Sequence, residues 1–262
     1  MFDILQLETT TFCNASCWFC PNVQLEKYAH MDTDLIYKVI DQSSPYVKIY
    51  RPFGLGEPLV DPRMPEIIAY IKANTNAKVE LHTNAAPLTL RKEQQIAANV
   101  DIMRFSLDGF HPETVGGVRK INGLQAISNT ERFLVNQPEI ECEVRMIGIP
   151  EHEDEQQLFL DYWNDIRPGC ATITKLYNHP WEGQTQSTSD PCTKCQNEAF
   201  IYVDGSVHPC PWDFGDREVL GNVNDTSIVD IWRSHRVTEF RKSLANGQRD
   251  KYSLCSRCDA KF

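Results

Sequence analysis

Short apolar runs alternate with stretches of helical period through the first two thirds of the chain. The runs at residues 2–7, 47–51, 78–82, 102–106, 141–147 and 171–175 have the length of strands. Between them, apolar positions recur three and four residues apart over 33–40, 64–73, 90–98, 123–135 and 153–166. The first three of these helices open on start signals: Asp32 with Thr33, Asp61-Pro62, and Thr89. Six strands separated by helices predict parallel βα units, as an open doubly wound sheet or as part of a (β/α) barrel.

The alternation stops near Tyr177. Residues 178–191 are rich in Gly, Pro, Ser and Thr and read as a linker. After it come a hairpin, 200–203 and 206–208 about Asp204-Gly205, and a helix over 227–244. The pattern therefore predicts two units, residues 1–178 and 179–262. The second is of a size at which a core alone gives little stability and a metal often helps. There is no internal repeat.

Hydrophobic residues make up 41% and aromatics 10% of the 262 residues, enough for a full core. Lysine and arginine total 26 against 36 aspartates and glutamates, a net charge of −10. That balance excludes a surface built to neutralise nucleic-acid phosphates. No apolar run approaches the roughly 20 residues that span a bilayer. The N-terminus carries Asp3 and no basic segment, unlike a secretory signal. The expectation is a cytoplasmic protein with neither a nucleic-acid nor a membrane partner.

The ten cysteines change the picture most. Eight fall in two groups, while Cys142 and Cys170 stand apart and read as small buried hydrophobes. In a reducing compartment, clustered thiols read as metal ligands. Cys13, Cys17 and Cys20 form a C-x3-C-x2-C loop directly after the first strand. Three thiolates so spaced can wrap one corner of a 4Fe–4S cube and leave its fourth iron open to a ligand. A three-cysteine zinc site is the alternative, but it wants a nearby fourth ligand, and His30, ten residues on, is not well placed for it. The second group, Cys192, Cys195, Cys210, Cys255 and Cys258, has two C-x2-C pairs enclosing a fifth cysteine. A zinc ribbon is one reading, although the 59 residues between Cys195 and Cys255 exceed a usual ribbon gap.

The first loop, with Phe19 as its aromatic, resembles the signature of the radical S-adenosylmethionine (SAM) enzymes. The resemblance continues in order. Gly54-Leu55-Gly56-Glu57-Pro58 follows the second strand and Thr83-Asn84-Ala85 the third, where the family usually has Thr-Asn-Gly. Ser106-Leu107-Asp108-Gly109 follows the fourth, then Arg119, and Ile147-Gly148-Ile149-Pro150-Glu151 ends the fifth. The resemblance implies a partial (β/α)6 TIM-type barrel with a 4Fe–4S cluster on Cys13, Cys17 and Cys20. SAM on that cluster would be cleaved to a 5′-deoxyadenosyl radical. In that family's terms Glu57 would meet the methionine ammonium, with Gly56 in the same turn. Ser106 and Arg119 would meet the carboxylate and Asn84 the ribose, while Phe19 and the backbone around Ile147 flank the adenine.

The C-terminal segment is similar to the auxiliary-cluster domains called SPASM and Twitch. The matching features are Pro191-Cys192, residues 204–210, 220–223 and 228–232, and Cys255-Ser256-Arg257-Cys258. The shorter Twitch form implies a second 4Fe–4S cluster on Cys192, Cys210, Cys255 and Cys258. Cys195 is then a bystander, an alternative ligand or a free thiol beside the site.

The resemblance implies oxidation of a small hydroxylated substrate, of sugar or aminocyclitol type, by hydrogen abstraction with electron transfer to the auxiliary cluster. An external donor such as flavodoxin or ferredoxin would reduce the first cluster. A radical epimerase, with Cys195 returning hydrogen, and a peptide or protein maturase are alternative reactions. A plain electron carrier or zinc-structured module has no use for the set Glu57, Asn84, Ser106 and Arg119. Glu8, Arg145 and Tyr50, near the barrel mouth, are the substrate-contact candidates. By alternation Arg145 lies opposite Cys142, Val144 and Met146, and one of those faces points into the barrel.

Overall fold

The computed structural model describes residues 1–176, 188–215, 218–258 and 260. Strands β1 (Ile4–Leu7), β2 (Ile49–Arg51), β3 (Lys78–Thr83), β4 (Ile102–Ser106), β5 (Glu141–Gly148) and β6 (Ala171–Lys175) lie side by side in chain order, all parallel. Helices α1 (Thr33–Ser43), α2 (Met64–Asn74), α3 (Leu90–Ile96), α4 (Pro112–Arg119), α5 (Gly123–Asn136) and α6 (Glu153–Ile166) connect them. Asp32, Thr89 and Asn122 cap α1, α3 and α5 by accepting backbone N–H bonds in the first turn.

The barrel is partial because β1 does not meet β6. Its free edge takes β7 (Glu198–Ile201) in parallel register, Ile4 opposite Glu198 and Leu7 opposite Ile201. Among the described residues, two antiparallel strands, β8 (Ser206–His208) and β9 (Gly221–Asn222), complete a nine-stranded sheet. The C-terminal region thus continues the barrel sheet. Its helices α7 (Lys194–Asn197), α8 (Ile228–Arg233) and α9 (His235–Ala245) close over it. Trp232 of α8 meets Phe2 edge-on at 5.1 Å, within a hydrophobic cluster common to both regions. The expected boundary between residues 178 and 179 lies outside the described residues. Among the described residues no helix is long and apolar enough to cross a membrane.

Three local expectations need correction. The single helix expected over 227–244 is two, because Ser234 turns extended (φ −58°, ψ 152°) and its hydroxyl accepts the N–H of Val237 to start α9. The hairpin's first strand is Glu198–Ile201 instead of 200–203, shifted to pair with β1. Helix α4 is additional: Gly116 and Gly117 depress its helical signal, and Val115 and Val118 are its only buried residues. It packs closely on α5, where a Cβ at Gly123 would stand 2.0 Å from the Pro112 carbonyl oxygen.

The sheet separates two chemistries. Leu5, Leu7, Tyr50, Val79, Leu81, Met103, Phe105, Val144 and Met146 point outward into the hydrophobic core under the helices. Tyr50, a candidate for the barrel mouth, is among them; its hydroxyl bonds Ser43 and the Ile40 carbonyl. The alternate positions face the barrel interior and are ionic. Glu80 pairs with Arg51, Arg104 and His82, and Glu143 pairs with Arg104 and Arg145. Arg145 therefore lies on the interior face, opposite the buried Val144 and Met146.

Candidate active site

The site is assembled at the C-terminal ends of the strands. The chain leaves β1 into the cysteine loop, which is fixed from two sides. Backbone bonds join Glu57 N–H to the Phe12 carbonyl (3.0 Å) and Ser16 N–H to the Arg119 carbonyl (3.0 Å). The side chains of Asn14 and Asn84 exchange bonds at 2.9 and 3.3 Å. Gly56 permits this contact, since a Cβ there would stand 2.3 Å from the Thr10 carbonyl oxygen and 2.7 Å from that of Phe12.

Cys13, Cys17 and Cys20 line one open cavity together with Phe19, Gly56, Glu57, Asn84, Ser106 and Arg119. Phe53, His82 and Thr83 also stand in its wall. Ile147 does not line it; its N–H is held by Asp108 Oδ1 at 2.9 Å. Glu57 is buried. Its Oε1 accepts from the Thr83 hydroxyl (2.7 Å) and Leu59 N–H (3.0 Å), and its Oε2 from Asn84 N–H (2.8 Å). Burial raises its pKa, against those hydrogen bonds. Asn84 spends its carbonyl on Ala86 N–H and Asn14, and one of its two amide hydrogens on Asn14. Ala85 takes the left-handed conformation (φ 62°) that explains glycine in the related motif.

Arg119 comes from the last turn of α4 and meets Asp108 at 2.5 Å. It lies 3.8 Å from Cys17 Sγ and 5.9 Å from the Phe19 ring centroid. Its Nε is buried with no hydrogen-bond partner. Asp108 was not anticipated as a site residue, although it follows Ser106 in the quoted motif. Aspartate tolerates the positive φ it adopts (60°) better than most residues.

This arrangement fits the cluster and SAM. Burial pushes the Cys13 thiol up to about 12 and the Cys17 thiol to about 11, so a cationic iron core is what would hold them as thiolates. Among the described residues no three His, Cys, Asp or Glu converge on one ion-sized point; a cube's thiolates each bind a different iron. The unpartnered Nε of Arg119 and the carboxylate of Glu57 offer the opposite charges that an amino acid's carboxylate and ammonium require.

The second thiol group is built by the C-terminal region. Cys192, Cys195, Cys210, Cys255 and Cys258 all line one enclosed cavity with Lys194, Trp212 and Arg249. Arg249 is fully buried and donates to four carbonyls: Asp190 (2.8 Å), Pro191 (3.3 Å), Cys258 (3.3 Å) and Ala260 (2.8 Å). It ties the segment entering the site to the one leaving it, and no motif marks it. The Cys195 thiol donates to Cys192 and holds that thiol down to about 6; the same bond and burial push Cys195 upward.

Of the substrate-contact candidates, Glu8 is buried and engaged. Its carboxylate accepts Leu55 N–H (2.7 Å) and Val203 N–H (3.0 Å), stapling the β2 loop to the hairpin, and it borders a neighbouring cavity with Leu55 and Tyr202. Burial raises its pKa to about 7. Arg145 donates to Glu143 at 2.7 Å and keeps a buried Nε without a partner. Cys195 stands in the auxiliary cavity, among the other four C-terminal cysteines.

A half-barrel with a thiol loop at its strand ends, joined to a second thiol-lined cavity, defines an iron–sulfur enzyme of the SAM-dependent class. The radical SAM superfamily profile matches residues 7–162, and that of SPASM, an iron-sulfur cluster-binding domain, matches residues 192–259. The chain belongs to the radical SAM superfamily, and its cofactors are SAM and 4Fe–4S clusters. It is 26% identical to the S-adenosyl-L-methionine-dependent 2-deoxy-scyllo-inosamine dehydrogenase of Niallia circulans, over 99% of this chain and 93% of that protein. It is also 26% identical to the tungsten-containing aldehyde ferredoxin oxidoreductase cofactor-modifying protein of Pyrococcus furiosus, over 98% and 88% respectively. The solved structure of BtrN in complex with AdoMet and 2-DOIA shares the fold, with a TM-score of 0.71 at 21% identity, covering 99% of this chain and 94% of that one.

Proposed function

We propose that the enzyme oxidises a secondary hydroxyl of a small polyol, of aminocyclitol or sugar type, to the carbonyl. The observation that carries this reading is the end-to-end likeness to a SAM-dependent dehydrogenase, spanning both thiol-lined cavities. Removing a hydrogen atom and a proton from an alcohol leaves one electron to dispose of, and a second cluster gives it a destination. SAM bound at the first cluster supplies the one-electron abstraction of the C–H hydrogen. Cys13, Cys17 and Cys20 hold that cluster, and Cys192, Cys210, Cys255 and Cys258 hold the auxiliary one. Glu57 and Arg119 bind the amino-acid end of SAM, with Ser106 beside Arg119. The remaining amide hydrogen of Asn84 serves the ribose, and Phe19 and Gly56 shape the remainder. Arg145 and the interior ionic layer face the substrate. The reading places the enzyme in the cytoplasm, supplied with electrons by a flavodoxin or ferredoxin.

An epimerase would need a thiol across the substrate from SAM, and Cys195 sits with the auxiliary ligands instead. The test is anaerobic turnover of the cluster-loaded protein with SAM and carbinol-deuterated 2-deoxy-scyllo-inosamine in a panel of inositols, aminocyclitols and hexoses. A ketone formed one-to-one with deuterated 5′-deoxyadenosine is expected. An isomeric product carrying one solvent deuterium at the inverted carbon would overturn the reading.

A further inference from the structure

The cavity below the cysteine loop is floored by Phe53 and His82, whose rings stack at 4.3 Å and 25°. His82 precedes Asn84 by two residues on the interior face of β3, so it stands one pleat deeper in the barrel. Its Nε2 lies 2.7 Å from Glu80 Oε1. Glu80 also accepts Arg51 Nε at 3.0 Å and Arg104 Nε at 2.6 Å. Although burial alone would raise it, those bonds and charges hold Glu80 well below the usual carboxylate range.

A carboxylate only accepts, so the proton of this pair sits on His82 Nε2. The neutral ring then offers Nδ1 as an acceptor, and among the described residues no hydrogen bond reaches that atom. Burial, reinforced by Arg145 and Arg51, outweighs Glu80 and keeps the ring neutral, its pKa pushed down to about 4. A carboxylate that fixes one imidazole tautomer and frees the other nitrogen is a general way to build a base.

We propose that His82 is the proton acceptor of the oxidation, its Nδ1 taking the hydroxyl proton from the carbon that is oxidised, with Glu80 as its positioning residue. This assignment rests on the oxidative reading above. The balance is complete: the C–H hydrogen leaves as an atom to the SAM-derived acceptor, and one electron leaves to the auxiliary 4Fe–4S cluster. The O–H proton leaves to His82 as the C–O bond becomes a carbonyl. A weak base suffices, because a hydroxyl on a carbon losing an electron is far more acidic than that of an alcohol.

The test compares cluster-loaded wild type, His82→Gln and His82→Ala with SAM, dithionite and the deuterated polyol panel. Both variants are expected to pass deuterium into 5′-deoxyadenosine, while the ratio of ketone to 5′-deoxyadenosine falls at least about tenfold. Added imidazole should partly restore it in His82→Ala. Independently of turnover, 15N spectra of the oxidised, substrate-free enzyme should show a neutral ring protonated at Nε2 from about pH 5.5 to about pH 8. An unchanged ratio, loss of deuterium transfer with the ketone, or a ring protonated at Nδ1 would overturn the assignment and leave the oxidation standing. A wild type that makes 5′-deoxyadenosine but no ketone from the panel would overturn both.

Discussion

Arg119 and Asp108 form an ion pair at 2.5 Å with almost no exposure on the Asp108 side, and through it α4 and β4 meet the cysteine loop. Asp108 also holds the β5 backbone through Ile147 N–H, while the Arg119 carbonyl receives Ser16 N–H. One pair thus links two strand ends, α4 and the cysteine loop. A buried pair is weak evidence for net stability, but removing one member leaves the other buried and unpaired.

Arg119→Ala should therefore cost about 3–5 kcal/mol of stability and weaken SAM binding by about 2–3 kcal/mol. Asp108→Asn keeps the size of the side chain but strands the guanidinium, so it should cost stability comparably. Equilibrium dialysis of SAM and denaturant unfolding, with iron content as the control, separate the two effects. Unchanged SAM affinity in Arg119→Ala would remove Arg119 from the proposed binding set.

Gly56→Ala tests the seat of the cysteine loop. The new methyl would press on the Thr10 and Phe12 carbonyls, which are backbone and cannot rotate away. A loss of about 1–3 kcal/mol is expected from the forced shift, with first-cluster iron reduced. Gly117→Ala, where a Cβ meets nothing within 4 Å, is the control: it should raise stability by up to about 1 kcal/mol, as alanine replaces glycine inside α4, and leave first-cluster iron unchanged.

Much of this was legible in the sequence because the determinants are local. The strands 102–106 and 171–175 and the helix 153–166 end where they were expected. Three thiols, Glu57, Asn84, Ser106 and Arg119 do meet in one cavity. What stayed hidden depends on contacts far apart in the chain. The β1–β7 pairing joins residues almost 200 positions apart, and nothing local in 198–201 announces it. Arg249 carries no motif, since its partners are carbonyls that any residue could supply. His82 and Glu80 were recoverable: the period of two that runs back from Asn84 puts both on the interior face.

Glu8 makes stability depend on pH in the sense opposite to an ordinary ion-paired carboxylate. Its folded value of about 7 lies above the usual 4.5, so the folded state holds the proton more tightly. The contribution is full below about pH 4.5 and is lost as pH rises through about 7, some 3 kcal/mol at most. Glu8→Gln cannot ionise and should flatten that part of the profile, at the cost of about 1 kcal/mol for one lost acceptor. Urea unfolding at several pH values checks the difference between the two proteins. A parallel pair of curves would show that Glu8 does not titrate in this window.

Arg249 offers the sharpest separation of the two thiol sites. Its guanidinium satisfies four carbonyls on the segments around residues 190–191 and 258–260, which flank Cys192 and Cys258. Lysine cannot reproduce a planar fork that serves four acceptors, so Arg249→Lys should fail nearly as badly as Arg249→Ala. Each leaves buried carbonyls unsatisfied, at about 1–3 kcal/mol apiece, and loosens the frame of the auxiliary site. The cysteine loop at β1 shares none of these bonds. Iron is therefore expected to fall from about eight to about four per chain in both variants. The remaining four should sit on the Cys13, Cys17 and Cys20 site and still support SAM binding. Full iron retention in Arg249→Ala would show that the cysteines hold the auxiliary site together without the staple.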